Sequence, residues 1–328
     1  MAEEKQKLKL GFYMGAGCGG CDIAVLDIHE KLLDLLRIAD VVFWAPVAAD
    51  VKYCDIEEMP DKSVDVGFYW GAVRNSEQEH MAKVLRDKSK ILVAFGSCAV
   101  SGGIPGLANA TSKEEIFKTV YQDTASTENP EFVTPQPRCD DGKHDLTLPE
   151  FYEEVYALDE IVDVDIYMPL CPPTPKLIWT AIEAVASGNL PPKGAVIAGD
   201  RTLCSECERT KSEKRRITKI YRPHEIMLDQ EKCFLDQGVI CMGPATRAGC
   251  EAICPNANVP CRGCMGPTKE AWDQGGNMLN MVATIFGIDE EEMSEEEVVK
   301  LMKQIKDPLG TFYRFYLPKS LLKKRRAK

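Results

Sequence analysis

Leu8-Lys-Leu-Gly-Phe-Tyr-Met14, Gly15-Ala-Gly-Cys-Gly-Gly-Cys21 and Asp22-Ile-Ala-Val-Leu-Asp-Ile28 follow one another without a break. An apolar run of strand character enters a glycine loop and leaves as helical periodicity, predicted over residues 23–36. The loop therefore sits at the carboxyl end of a strand and faces a helix N-terminus, where α/β proteins bind ligands. Outward from this unit, strands are expected near residues 41–45, 64–69, 90–95, 164–168 and 195–198. Helices are expected over residues 76–86, 112–121 and 173–186. This alternation predicts an α/β fold with a doubly wound parallel sheet.

Beyond residue 199 the character changes. Residues 204–264 are dense in Cys, Gly and Pro with no sustained period, as in a segment ordered by what it binds. Two domains are expected, 1–199 and 200–328, the second closing with helices over 276–286 and 294–305. Ser294-Glu-Glu-Glu297 reads as a capping box for the last helix. The polar stretch 123–149 reads as a surface insertion and is assigned no fixed structure.

The 328 residues are 45% hydrophobic and 28% charged, the composition of a globular chain. No apolar run approaches the roughly 20 residues that cross a bilayer. Residues 1–9 carry neither an apolar signal core nor a twin-arginine pair, so the cytoplasm is the expected location and no membrane partner is expected. A formal charge of −11 disfavours nucleic acid as a partner. Residues 319–328 hold six basic side chains and read as a solvated terminus.

In a reducing compartment, fourteen cysteines point to metal rather than disulfides. Gly15, Gly17 and Gly20 also spell the dinucleotide fingerprint. Asp22, however, would set a negative charge where a pyrophosphate should lie, and the acidic residue after the second strand, Asp50, comes late. The glycines serve Cys18 and Cys21 equally well, because two thiols grip one centre only across a tight turn. Cys98 in Gly96-Ser-Cys-Ala99 and Cys171 in Pro169-Leu-Cys-Pro-Pro-Thr-Pro175 follow other strands. These four thiols from three strand-end loops form an all-cysteine site suited to zinc or iron–sulfur.

Cys204, Cys207, Cys233 and Cys241, then Cys250, Cys254, Cys261 and Cys264, make two further quartets by sequence order. Ligands of neighbouring clusters can interleave, and the spacing leaves structural zinc open. Cys54 and Cys139 fall outside the quartets and read as buried or incidental thiols. His29, His80, His144 and His224 read as structural. Arg201, Arg209, Lys211, Lys214, Arg215 and Arg216 read as a solvated charged face.

Taken together, the Cys18–Cys21 loop, Gly-Ser-Cys98-Ala, Pro-Leu-Cys171-Pro-Pro-Thr-Pro, Cys241-Met-Gly-Pro-Ala-Thr and Pro-Cys261-Arg-Gly-Cys264-Met-Gly-Pro resemble the small subunits of nickel–iron hydrogenases over most of the chain. The resemblance implies a flavodoxin-like domain holding a proximal 4Fe-4S cluster on Cys18, Cys21, Cys98 and Cys171. It implies a distal 4Fe-4S cluster on Cys204, Cys207, Cys233 and Cys241, with Cys204 standing where many relatives have histidine. It implies a medial cluster on Cys250, Cys254, Cys261 and Cys264, where four thiols suit 4Fe-4S rather than 3Fe-4S. No catalytic residue is expected in this chain, since the nickel–iron centre would lie in a large-subunit partner. The nearest likeness is to the cytoplasmic hydrogenases of methanogens, especially the non-deazaflavin-reducing type that serves methanogenesis through an iron–sulfur adaptor subunit and heterodisulfide reductase. The corresponding subunit of a deazaflavin-reducing hydrogenase and a zinc-stabilised interaction scaffold are the alternative readings.

Overall fold

The computed structural model describes residues 7–45, 47, 50–213, 217–286 and 294–323. Its strands are β1 (Leu8–Met14), β2 (Ala39–Trp44), β3 (Val64–Trp70), β4 (Val73–Asn75), β5 (Ser89–Phe95), β6 (Arg138–Asp140), β7 (Asp145–Thr147), β8 (Phe151–Tyr156), β9 (Ile166–Met168) and β10 (Ala195–Val196). Six of them form one sheet in the order β2-β1-β3-β5-β9-β10, and every pairing is parallel. The chain winds outward from β1 in both directions, so the loops after β1, β5 and β9 open at one sheet edge.

The period of two along the strands divides the core. Phe12, Phe68, Trp70 and Phe95 face one side and pack with Leu35, Ile178 and Ile182. Tyr13, Phe43, Tyr69 and Leu92 face the other and pack with Met81 and Leu85. The expected helix over 23–36 is instead two helices, Gly20–Leu26 and Lys31–Ile38. His29 between them takes a left-handed φ of 55°, which interrupts the helical ladder, while Ile28 stays in the core. The insertion after residue 123 also differs from expectation. β6 and β7 pair antiparallel as an exposed hairpin, and β8 joins β4 beside the main sheet.

Arg86 in the helix Ser76–Lys88 bonds Asp165 just before β9 at 2.5 Å, with both side chains largely covered. Burial pushes the Asp165 carboxyl up, but the Arg86 guanidinium and the Leu92 amide outweigh it and hold the group below its ordinary 3.8. Arg86→Ala should cost about 3 kcal/mol in urea unfolding, because it strands a half-buried charge. The carboxylate is the favoured form in the fold, so this stabilisation is full above the unfolded value and is lost as pH falls below 3.8. The gap between wild type and variant should narrow in acid but not close, because Arg86 also donates to the carbonyls of Asp163, Ser89 and Lys90.

A third apolar cluster holds Leu203, Phe234, Met242, Met278, Phe286, Phe312 and Leu317. It meets the sheet edge where Ser97 Oγ donates to the Cys264 carbonyl and Ser101 Oγ to the Phe315 carbonyl, both at 2.6 Å. The helices Gln274–Phe286 and Glu295–Met302 cover it, and Ser294 and Glu297 form the expected capping box. Arg209 is buried rather than solvated: it donates to the carbonyls of Pro255, Asp229 and Lys232 and lies over the Phe234 ring. Lys214, Arg215 and Arg216 lie outside the described residues. Lys319 and Lys323 pair with Asp159 and Glu160, so the start of the basic tail is tied down. Among the described residues no helix is long and apolar enough to cross a membrane.

Candidate metal centres

The β1 loop closes against the loop after β3. Gly15 N–H donates to the Trp70 carbonyl, and Ala16 and Ala72 exchange backbone bonds in both directions. Gly71 has a left-handed φ of 85°, and a Cβ there would lie 2.6 Å from the Gly15 carbonyl carbon, so only glycine permits the approach. Cys18 and Cys21 are thereby presented at the sheet edge. Cys98 follows β5 in the helix Gly96–Ser101, and Cys171 follows β9 in a loop where Leu170 takes a φ of 109°. A leucine in that conformation is strained, and such strain gathers at functional sites. The Leu170 carbonyl accepts the Ser97 N–H at 2.8 Å, which ties the two loops together.

These four thiols interact with one another. Burial pushes the Cys98 thiol up to about 12, and the sulfurs of Cys171 and Cys18 add to it. Cys21 is raised further by burial and by Cys98, Cys171 and Cys18. In the same way Cys250, Cys254 and Cys264 act on one another, and Cys261 acts with Cys264. Cys241 is pushed up to about 12 by burial, with Cys204 and Cys233 adding to it. Cys207 packs against the apolar cluster that includes Cys241.

The groups also touch in series. Cys171 reaches the Cys264 thiol through both its backbone amide and its own sulfur. Cys261 N–H donates to Cys241 Sγ at 3.3 Å, and the two thiols interact. Among the described residues, no set of three or more His, Cys, Asp or Glu side chains closes on a single metal ion.

The sequence profile described as "NADH ubiquinone oxidoreductase, 20 Kd subunit" matches residues 18–185. The chain is 44% identical to the iron-sulfur subunit of the F420-non-reducing hydrogenase of Archaeoglobus profundus, over 97% of this chain and 98% of that one. It is 40% identical to the corresponding subunit of the vhu F420-non-reducing hydrogenase of Methanococcus voltae, over 97% and 98%. The chain belongs to the family of F420-non-reducing hydrogenase iron-sulfur subunits. It is a hydrogenase small subunit, homologous to electron-transfer subunits. A chain of the [NiFeSe] hydrogenase from Desulfovibrio vulgaris Hildenborough shares the fold, with a TM-score of 0.51 at 18% identity, over 81% of this chain and 95% of that one.

The donor set of this hydrogenase subunit fits iron–sulfur groups. Each group is built of soft thiols, and burial with mutual repulsion disfavours their ionised form unless cationic metal compensates. Cys54 and Cys139 are exposed thiols, not buried ones. His80 pairs with Glu57 and His144 with Asp141.

From the sequence, Asp22 reads only as an obstacle to a pyrophosphate. In the fold it is a buried clamp. Its two carboxylate oxygens accept the indole N–H groups of Trp44 at 2.9 Å and Trp70 at 3.0 Å. Trp44 ends β2 and Trp70 ends β3, the two strands that flank β1, so the clamp spans the end of β1 and fastens the residue beside Cys21 to the sheet edge. Two tryptophans at strand ends are the signal, but strand order is needed to read it. Asp22→Asn turns one acceptor into a donor facing an indole N–H, and should cost about 1–3 kcal/mol in thermal unfolding of the metal-loaded chain. Because it also removes a negative charge beside Cys21, the redox midpoint of the adjoining centre should rise.

Proposed function

We propose that this chain is the electron-conducting small subunit of a nickel–iron hydrogenase, carrying electrons from H2 oxidation in a large subunit through three 4Fe-4S clusters to an external acceptor. Cys18, Cys21, Cys98 and Cys171 would hold the proximal cluster. Cys250, Cys254, Cys261 and Cys264 would hold the medial one, and Cys204, Cys207, Cys233 and Cys241 the distal one. Residues 1–199 and 200–328 are the two domains of this scheme. The observation that carries the reading is the serial contact of the groups: the Cys171 backbone reaches Cys264, and the Cys261 backbone reaches Cys241.

The clusters, when bound, supply one-electron chemistry, and the protein positions and tunes them. Burial excludes water from Cys241 and Cys261, and amide N–H groups aimed at sulfur favour the thiolate. The relatives are named F420-non-reducing, which favours an acceptor other than that deazaflavin. We assign the acceptor to a heterodisulfide reductase complex reached through an iron–sulfur adaptor subunit, in the cytoplasm. Iron and acid-labile sulfide counted on anaerobically purified protein should give about twelve of each per chain. Stoichiometric zinc with negligible iron would replace this reading with a zinc-stabilised scaffold, and copurification with the adaptor and reductase tests the assigned acceptor.

A further inference from the structure

A cavity of about 260 Å³ lies between the segment entering β-bridge residue Tyr221 and the turn before the helix Pro308–Phe312. Its charged lining is Arg222, His224, Arg262, Lys306, Asp307 and Arg314. Four permanent cations thus face one carboxylate, in a chain whose formal charge is −11. That carboxylate is already engaged, because Asp307 accepts the Gly310 N–H at 2.8 Å. Among the described residues, Arg222, Arg262, Lys306 and Arg314 have no ion-pair partner. Arg314 Nε donates to the Gly310 carbonyl at 2.9 Å.

Arg262 is half-buried between Cys261 and Cys264 and lies close enough to Arg222 and Arg314 to feel their repulsion. Three guanidiniums lining one cavity with no ion-pair partner among the described residues are stabilised by an anion that they can share, and arginine forks match carboxylate and phosphate oxygens. At about 260 Å³ the cavity lies just below the roughly 300–1,000 Å³ typical of drug-sized ligands, a size that suits a single oxyanion group.

We propose that Arg222, Arg262 and Arg314 form a binding site for one oxyanion group, a carboxylate or a phosphate. Arg262 also faces the thiols of Cys241 and Cys261, so the site lies beside two of the cysteine groups. The ligand would be either an acidic side chain of the electron-accepting protein or a free anion.

The test is anaerobic calorimetry of the metal-loaded hydrogenase complex with inorganic phosphate, at ionic strength held constant with chloride. Wild type should bind saturably. The double variant Arg222→Gln with Arg314→Gln, whose positions stand apart from the cysteine loops, should bind at least about tenfold more weakly with unchanged iron content. The corresponding double lysine variant should recover part of the affinity. No saturable binding by wild type, or equal affinity in the double glutamine variant, overturns the site. Hydrogen-dependent reduction of the native acceptor separates the two sources. Competition by phosphate assigns the site to an acceptor carboxylate, and undiminished rates with phosphate bound assign it to a free anion; both keep the oxyanion chemistry.

Discussion

Cys98→Ala should lower iron by about four atoms per chain, leave about eight in place, and abolish hydrogen-dependent reduction of external acceptors. The Cys98 thiol lies at the end of the central strand β5, interacting with both Cys171 and Cys18. Alanine removes one sulfur and adds no bulk, so the fold can accommodate it while the proposed proximal cluster would lose a ligand. Electrons entering from the large subunit would then have no first station, and distance alone would stop transfer even with the other centres loaded. Iron and sulfide analysis with the hydrogen assay checks both parts. A full iron count in the variant would remove Cys98 from the ligand set. Cys54→Ala, at an exposed thiol outside the three groups, is the control and should match wild type in both measurements.

Gly71→Ala should destabilise the chain by about 3 kcal/mol, combining the cost of a side chain at left-handed φ with overpacking against backbone. The new Cβ would lie within 2.9 Å of Gly15 and Ala16 backbone atoms, which have no side-chain freedom with which to yield. The β1 loop would be pushed off the β3 loop, and Cys18 and Cys21 with it. Urea unfolding should show the loss. Iron analysis should show the proposed proximal quartet emptied first, because the atoms that the new Cβ would displace belong to the loop carrying Cys18 and Cys21. Uniform loss of all iron would mean instead that the sheet edge supports the whole chain.

The α/β architecture was legible because strands buried on both faces leave continuous apolar runs, as in Val64–Trp70 and Ser89–Phe95. The first thiol group was legible for a related reason: strand ends mark where loops converge, and Cys21, Cys98 and Cys171 each follow one. The break at His29 was not legible. Both flanking segments are helical in period, and only packing against the sheet required a turn between them. Nor was the role of Arg209, whose charge reads as surface until five hydrogen bonds are seen to satisfy it inside.

The sequence by itself determined the fold class, the number of thiols and the family, since these depend on residue type, period and local spacing. Only the tertiary structure decided which groups adjoin. Cys171 and Cys264 are far apart along the chain, as are Asp22 and Trp70, and so are Arg222 and Arg314. No local pattern encodes such pairs, because their meeting depends on strand order and on how the cysteine-rich segment lies across the sheet edge.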